Sequence, residues 1–90
     1  MQYLWVRVGD ADDYNHFDDL AEAAEYMAQF GLVHVWRKFK YGVDAEGFTG
    51  NNYISLFYGD EEAQPTRDVS TRDIQRLNRH LKQNSPHDVE

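Results

Sequence analysis

The side chains able to do chemistry in this chain are mostly carboxylates, and they crowd into its first third. Asp10, Asp12, Asp13, Asp18, Asp19, Glu22 and Glu25 stand against Arg7 alone within residues 1–30. Residues 31–60 balance in charge, and residues 61–90 are nearly balanced. A cluster of acids can hold a cation, but this spacing is wrong for it. An EF-hand loop begun at Asp10 would put Tyr14 at its fifth position, Asn15 where the sharp turn needs glycine, and Ala21 where it needs a bidentate Glu. A solvated acidic turn is the better reading. The histidines offer no alternative. His16 and His87 fall in a loop and a tail, His34 in a strand and His80 in a helix, so no two have ligand spacing within one element.

Other catalytic chemistry lacks its residues. With no cysteine there is no thiol nucleophile, no Cys-ligated zinc or iron–sulfur site, and no disulfide scaffold. The G-x-S-x-G, H-E-x-x-H and phosphate-loop patterns are missing. The glycines at 42, 47 and 50 do not follow a strand and open a helix, as a phosphate cradle requires. The sequence therefore predicts a non-enzyme with no cofactor and no metal.

The acids have a second possible use, as a surface. Asp18, Asp19, Glu22 and Glu25 on one helix would occupy a rise of about 10 Å, or about one carboxylate per 2.6 Å. That lies between the linear charge densities of one and two strands of B-DNA. With the loop acids Asp10, Asp12 and Asp13, such a face could occupy a basic cleft built to hold nucleic acid. Solubility alone also explains a charged outer helix face. The formal net charge of −7 itself disfavours direct, generic binding to nucleic acid.

These residues need elements to position them. Ninety residues suffice for one domain, and an aromatic fraction of 14% can build its core. Residues 2–8 alternate as a strand, with Leu4, Val6 and Val8 opposing Tyr3, Trp5 and Arg7. Residues 9–16 read as a loop. Residues 18–30 read as a helix with Asp18 as N-cap, a core stripe of Leu20, Ala23, Ala24, Met27 and Phe30, and a left-handed stop at Gly31. Residues 32–41 and 52–58 read as strands, separated by a glycine-rich mobile loop over 42–51. The last helix starts at Ser70, with Asp73 completing a capping box and Val69 and Ile74 a hydrophobic staple. Its core stripe is Ile74, Leu77 and Leu81; Arg72, Arg76, Arg79 and Lys82 face outward, placed to complement the helix C-terminus and to pair with the acidic helix.

The expected fold is an α+β two-layer sandwich, β-α-β-β-α, with two helices on one face of a three-stranded sheet. The domain spans residues 1–83, and residues 84–90 form a frayed tail. That order occurs in unrelated proteins and carries no functional inference. The alternation places Leu32, His34, Trp36, Lys38 and Lys40 on the uncovered face, with Tyr3, Trp5, Arg7, Tyr53, Ser55 and Phe57. Val33, Val35, Phe39 and Tyr41 turn toward the helices.

Aromatic and cationic groups on an open sheet suit stacked single-stranded bases, and they equally suit a protein interface. The face is therefore read as a partner or dimer surface of Tyr3, Trp5, Trp36, Lys38, Tyr53 and Phe57. A second copy of the chain, the 42–51 loop or the tail are its other possible covers. No stretch approaches the ~20 apolar residues of a membrane span, and the N-terminus lacks signal-peptide character. A cytoplasmic protein is expected. The leading functional expectation is a small acidic interaction protein that modulates a macromolecular partner. Its composition fits an inhibitor of a nucleic-acid enzyme, of the kind mobile elements encode against restriction or CRISPR systems. The alternative is a single-stranded nucleic-acid-binding module using the aromatic and basic sheet face.

Overall fold

A computed structural model of the chain describes residues 2–9, 13–47 and 50–84, with the side chain of Asn51 excepted. The elements are β1 (Tyr3–Val8), β2 (Asn15–Phe17), α1 (Leu20–Ala28), β3 (Leu32–Phe39), β4 (Gly42–Gly47), β5 (Gly50–Gly59), β6 (Pro65–Arg67) and α2 (Thr71–Asn84). Every strand pairing is antiparallel. The sheet order is β2-β1-β5-β4-β3, and β6 pairs with the C-terminal end of β5, beyond its ladder with β4. Two layers of α+β architecture are as expected. The sheet, however, has six strands where the sequence predicts three.

Two of the extra strands, β2 and β6, are three residues long, too short for alternation to show. The third, β4, corrects the expected mobile loop at 42–51. It lies inside the sheet, paired to β3 on one side and β5 on the other, with Val43 and Ala45 buried. Its glycines are signs of close approach rather than of a loop. A Cβ on Gly42 would run into the Tyr53 hydroxyl, and one on Gly47 would run into the Gly31 carbonyl. Glycine at these positions lets a side chain and a neighbouring backbone lie directly on the strand.

Strand β3 corrects the expected parity. Its register to β4 shifts between Leu32 and His34 and again between Val35 and Arg37. Each bulge adds a residue and moves the rest of the strand to the other face. Leu32, expected on the open face, is buried in the core. Lys38, also expected there, pairs in register with core residue Val43 and reaches Asp68 at 2.8 Å. Phe39, expected toward the helices, pairs in register with Gly42 and lies beside the Tyr53 ring. Asp68 also accepts from the backbone N–H groups of Tyr41 (3.2 Å) and Val69 (2.9 Å). It thereby holds the β3–β4 turn, where Tyr41 sits at a φ of 60°, a costly angle for a non-glycine residue.

The helices agree closely with their local signals. For α1 the N-cap is Asp19 rather than Asp18: its carboxylate accepts the Glu22 N–H at 2.9 Å. Glu22 reaches back to the Asp18 N–H at 3.1 Å, giving a variant of the capping box. Gly31 is left-handed with φ 81°, two residues past the C-cap Gln29. Before α2, Ser70 and Asp73 exchange hydrogen bonds of 3.1 and 3.0 Å, completing the capping box read from the sequence. Residues from 85 onward in the expected tail lie outside the described residues, and Asn84 ends α2.

Both helices bury their apolar stripes on one face of the sheet, except that Phe30, expected in the α1 stripe, lies past the C-cap and is 47% exposed. Leu20, Ala23, Ala24 and Met27 of α1, with Leu77 and Leu81 of α2, share a core with Leu4, Val6, Leu32, Val35, Val43, Ala45, Ile54 and Leu56. Val69 is buried beneath the start of α2 and Ile74 packs against the same core. Leu77→Ala should cost about 2–5 kcal/mol of folding free energy in a denaturation curve. An unchanged midpoint would mean that α2 does not seat on the sheet. In the wild type the amides of β4 should exchange slowly, as those of a central strand do.

Candidate interaction surfaces

The acidic surface starts at α1. Asp13, Asp18 and Glu25 are exposed, and their carboxylates take no hydrogen bond or ion pair among the described residues. Asp19 and Glu22 are engaged in capping, so they hold the helix start as well as contributing charge. Asp10 and Asp12 lie outside the described residues.

The register brings a second group of acids to the end of the sheet where Asp18 lies, whereas Asp13, before the start of β2, lies toward the opposite end. Leu4 pairs with Phe17 on one side and Tyr58 on the other, and Tyr3 pairs with Gly59. Residue 18 therefore lies beside one edge of β1 and residue 60 beside the other. At about 4.8 Å per strand, their backbones are about 10 Å apart. The turn after β5 carries Asp60, Glu61 and Glu62, with both glutamates exposed. Asp60 is occupied by the turn: its Oδ1 accepts the N–H groups of Glu62 (2.9 Å) and Gln64 (3.1 Å). These donors, Gln64 first, hold its carboxyl below the ordinary value of 3.8. Acids distant in sequence thus share one end of the molecule, a juxtaposition set by strand pairing that no local pattern records.

The face away from the helices divides into two parts. On β1 and β5, Trp5 and Phe57 are not open as expected; they are only 7% and 3% exposed. Tyr14, just before β2, covers them, its ring edge-on to Trp5 at 6.4 Å and to Phe57 at 5.8 Å. His16 of β2 packs on Trp5 at 4.8 Å and on Tyr3 at 4.6 Å, and Tyr41 approaches Phe57 at 6.1 Å. The Trp5 indole N–H donates to the Asp60 carbonyl at 2.8 Å. The Arg7 guanidinium lies 5.0 Å from the centre of the Tyr14 ring, and its Nε is buried with no hydrogen-bond partner among the described residues. This half is a small second core. The segment expected to be a plain loop supplies its cover, and the β2 pairing that brings it there was hidden in three residues.

The β3–β4 half stays uncovered. Trp36, the residue at the second bulge, is 47% exposed and Tyr53 45%. Paired across the strands on this face are Arg37 with Asp44 and His34 with Glu46. The carboxylates Asp44 and Glu46, in the stretch read as a loop, were not anticipated on this surface. On the helix side, Arg72, Arg76, Arg79 and Lys82 are exposed, and none forms an ion pair with α1 among the described residues. The expected pairing of the two helices' charges is therefore not made.

Among the described residues no three His, Asp or Glu side chains converge to hold a metal. No described helix is long and apolar enough to cross a membrane. Comparison with protein-family models, with curated proteins and with solved structures gives no match to this chain.

Both the aromatic cover and the Asp60 turn can be tested directly. Tyr14→Ala should uncover Trp5, shifting tryptophan emission to the red in a Trp36→Phe background; unchanged emission would place the cover elsewhere. Asp60 has a lowered folded pKa, so its contribution to stability is complete above the ordinary value and is lost as pH falls through the folded value. Asp60→Asn, which cannot titrate, should therefore lose less stability than the wild type between about pH 5 and pH 2 in melts across that range.

Proposed function

We propose that this is a non-catalytic interaction protein whose acidic end docks on a basic surface of a nucleic-acid-binding protein and competes there with phosphate. The observation that carries this reading is the approach of Asp18, just before α1, to the acidic 60–62 turn at one end of the sheet. Solubility requires charge but does not require acids from two distant segments to share an end. The expected cations of the alternative reading, a single-strand binder, divide between the faces of the sheet, with Arg7 held against Tyr14 on the open one. Lys38 turns to Asp68 on the helix side, while Asp44 and Glu46 stand among the aromatics. A strand's phosphates would meet those carboxylates. Within the proposal, the protein acts in the cytoplasm as an inhibitor of a nucleic-acid enzyme, of the type directed against restriction or CRISPR systems.

The test uses side chains that no cap or turn needs. Asp18→Lys, Glu25→Lys and Glu61→Lys combined should leave the melting curve intact, because all three are exposed and their carboxylates are unbonded among the described residues. Affinity capture from the cells that express the protein should retrieve a nucleic-acid-binding protein with the wild type and lose it with the triple variant. Duplex DNA should compete, and capture should weaken as salt rises, since exposed charges are screened beyond ~8 Å at physiological ionic strength. Equal capture by the folded triple variant at low salt overturns the reading.

A further inference from the structure

The uncovered β3–β4 half of the sheet carries a feature that the acidic end does not explain. Arg37 and Asp44 are direct cross-strand partners on one face, yet they form no ion pair among the described residues. The Arg37 guanidinium lies instead over the Phe39 ring, 4.9 Å from its centre. Asp44 is half-buried, and its carboxylate has no hydrogen-bond partner among the described residues. Beside them Tyr53 is about half exposed, its hydroxyl end held over Gly42. This is a surface of mixed sign and aromatic content with its charges unspent.

The signs are arranged in columns. β3 contributes the cation Arg37 and the imidazole of His34; β4 contributes the anions Asp44 and Glu46. A two-fold axis lying in the plane between two stacked sheets, parallel to the strands and midway between β3 and β4, carries β3 of one copy over β4 of the other. It leaves position along the strand unchanged. Arg37 of each copy then faces Asp44 of the other, and His34 faces Glu46, because each pair already shares a register position. Face-to-face sheets pack about 10 Å apart, a gap that a long Arg and a short Asp can span together. An isologous interface demands this kind of self-complementarity. A polyanion would meet Asp44 and Glu46, and a protein surface of one sign would find one column repulsive.

We propose that the β3–β4 half of the open sheet face binds a second copy of this chain, sheet to sheet, with Arg37 and Asp44 exchanging ion pairs across the two-fold axis and Tyr53 packed between the copies. The proposal is independent of the acidic end, which lies outside this patch.

Sedimentation equilibrium of the full 90-residue chain tests it. The wild type should dimerise in the micromolar to submillimolar range. Asp44→Arg places Arg against Arg and should raise the dimer dissociation constant at least about tenfold, as should Arg37→Asp. The double variant Arg37→Asp/Asp44→Arg restores opposite columns and should recover the dimer. Asp44→Asn keeps the side-chain size and should weaken association by a smaller factor, which covers the case of a charge reversal that fails to fold. A wild type that stays monomeric throughout overturns the proposal. So does a folded single reversal that associates like wild type, or a folded double variant that remains as weak as the singles. Saturable binding of a single-stranded oligonucleotide to a monomer, lost in Tyr53→Ala, would also overturn it.

Discussion

Strand β5 is the constraint on which the rest of the molecule depends. It is ten residues long, flanked by β1 and β4, and consecutive residues Ile54, Ser55, Leu56 and Phe57 are all buried. Burial of successive residues means that both faces of the sheet are covered there. One cover is the helix layer over Ile54 and Leu56; the other is the Tyr14 and Tyr41 rings against Phe57. Two cores share this strand, so a one-residue slip of β5 would exchange their contents and ruin both. The middle of the open face has to be thin to allow this. Ser55 faces Arg7 on one neighbour and Gly42 on the other, which leaves room for the Tyr53 ring to cross.

The sheet's long free edge is managed by a side chain. Asn78 of α2 accepts the Val35 N–H at 2.7 Å and donates to the Val35 carbonyl at 2.9 Å, acting as a single residue of an absent neighbouring strand. Together with the two bulges of β3 this discourages pairing of another chain along the edge. The exposed aromatics therefore have to be met through the face of the sheet. Asn78 also ties α2 to the edge strand, so helix docking and edge protection are the same contact.

Charge in this protein divides into carboxylates that build the fold and carboxylates left for solvent or a partner. Asp19, Glu22 and Asp73 cap helices, Asp60 closes a turn, and Asp68 holds Lys38 and the β3–β4 turn. Asp13, Asp18, Glu25, Glu61 and Glu62 make no such bond among the described residues. The free acids Asp18, Glu61 and Glu62 gather toward the β2 edge and the end of β5, where Arg67 lies 4.2 Å over the Tyr58 ring and Arg76 of α2 approaches the same tyrosine.

Much of the local structure was legible because its causes are local. Alternation in Leu4, Val6 and Val8 and in Ile54 and Leu56 reports burial on one face. The helical stripes report the layer above, and Ser70 with Asp73 reports its own cap. The acidic character of the first third was equally plain. What the sequence alone could not decide is who lies beside whom. Gly42 and Gly47 look like loop signals until Tyr53 and Gly31 are seen pressed against them. Trp5 and Phe57 look like exposed aromatics until Tyr14 closes over them. Lys38 leaves the face of His34 because the bulge at Trp36 intervenes, and a bulge is set by the partner strand rather than by composition. Periodicity records the environment of a residue averaged along its own strand. Register, close approach and the meeting of distant acids are properties of pairs, and only the tertiary structure brings the two members of a pair together.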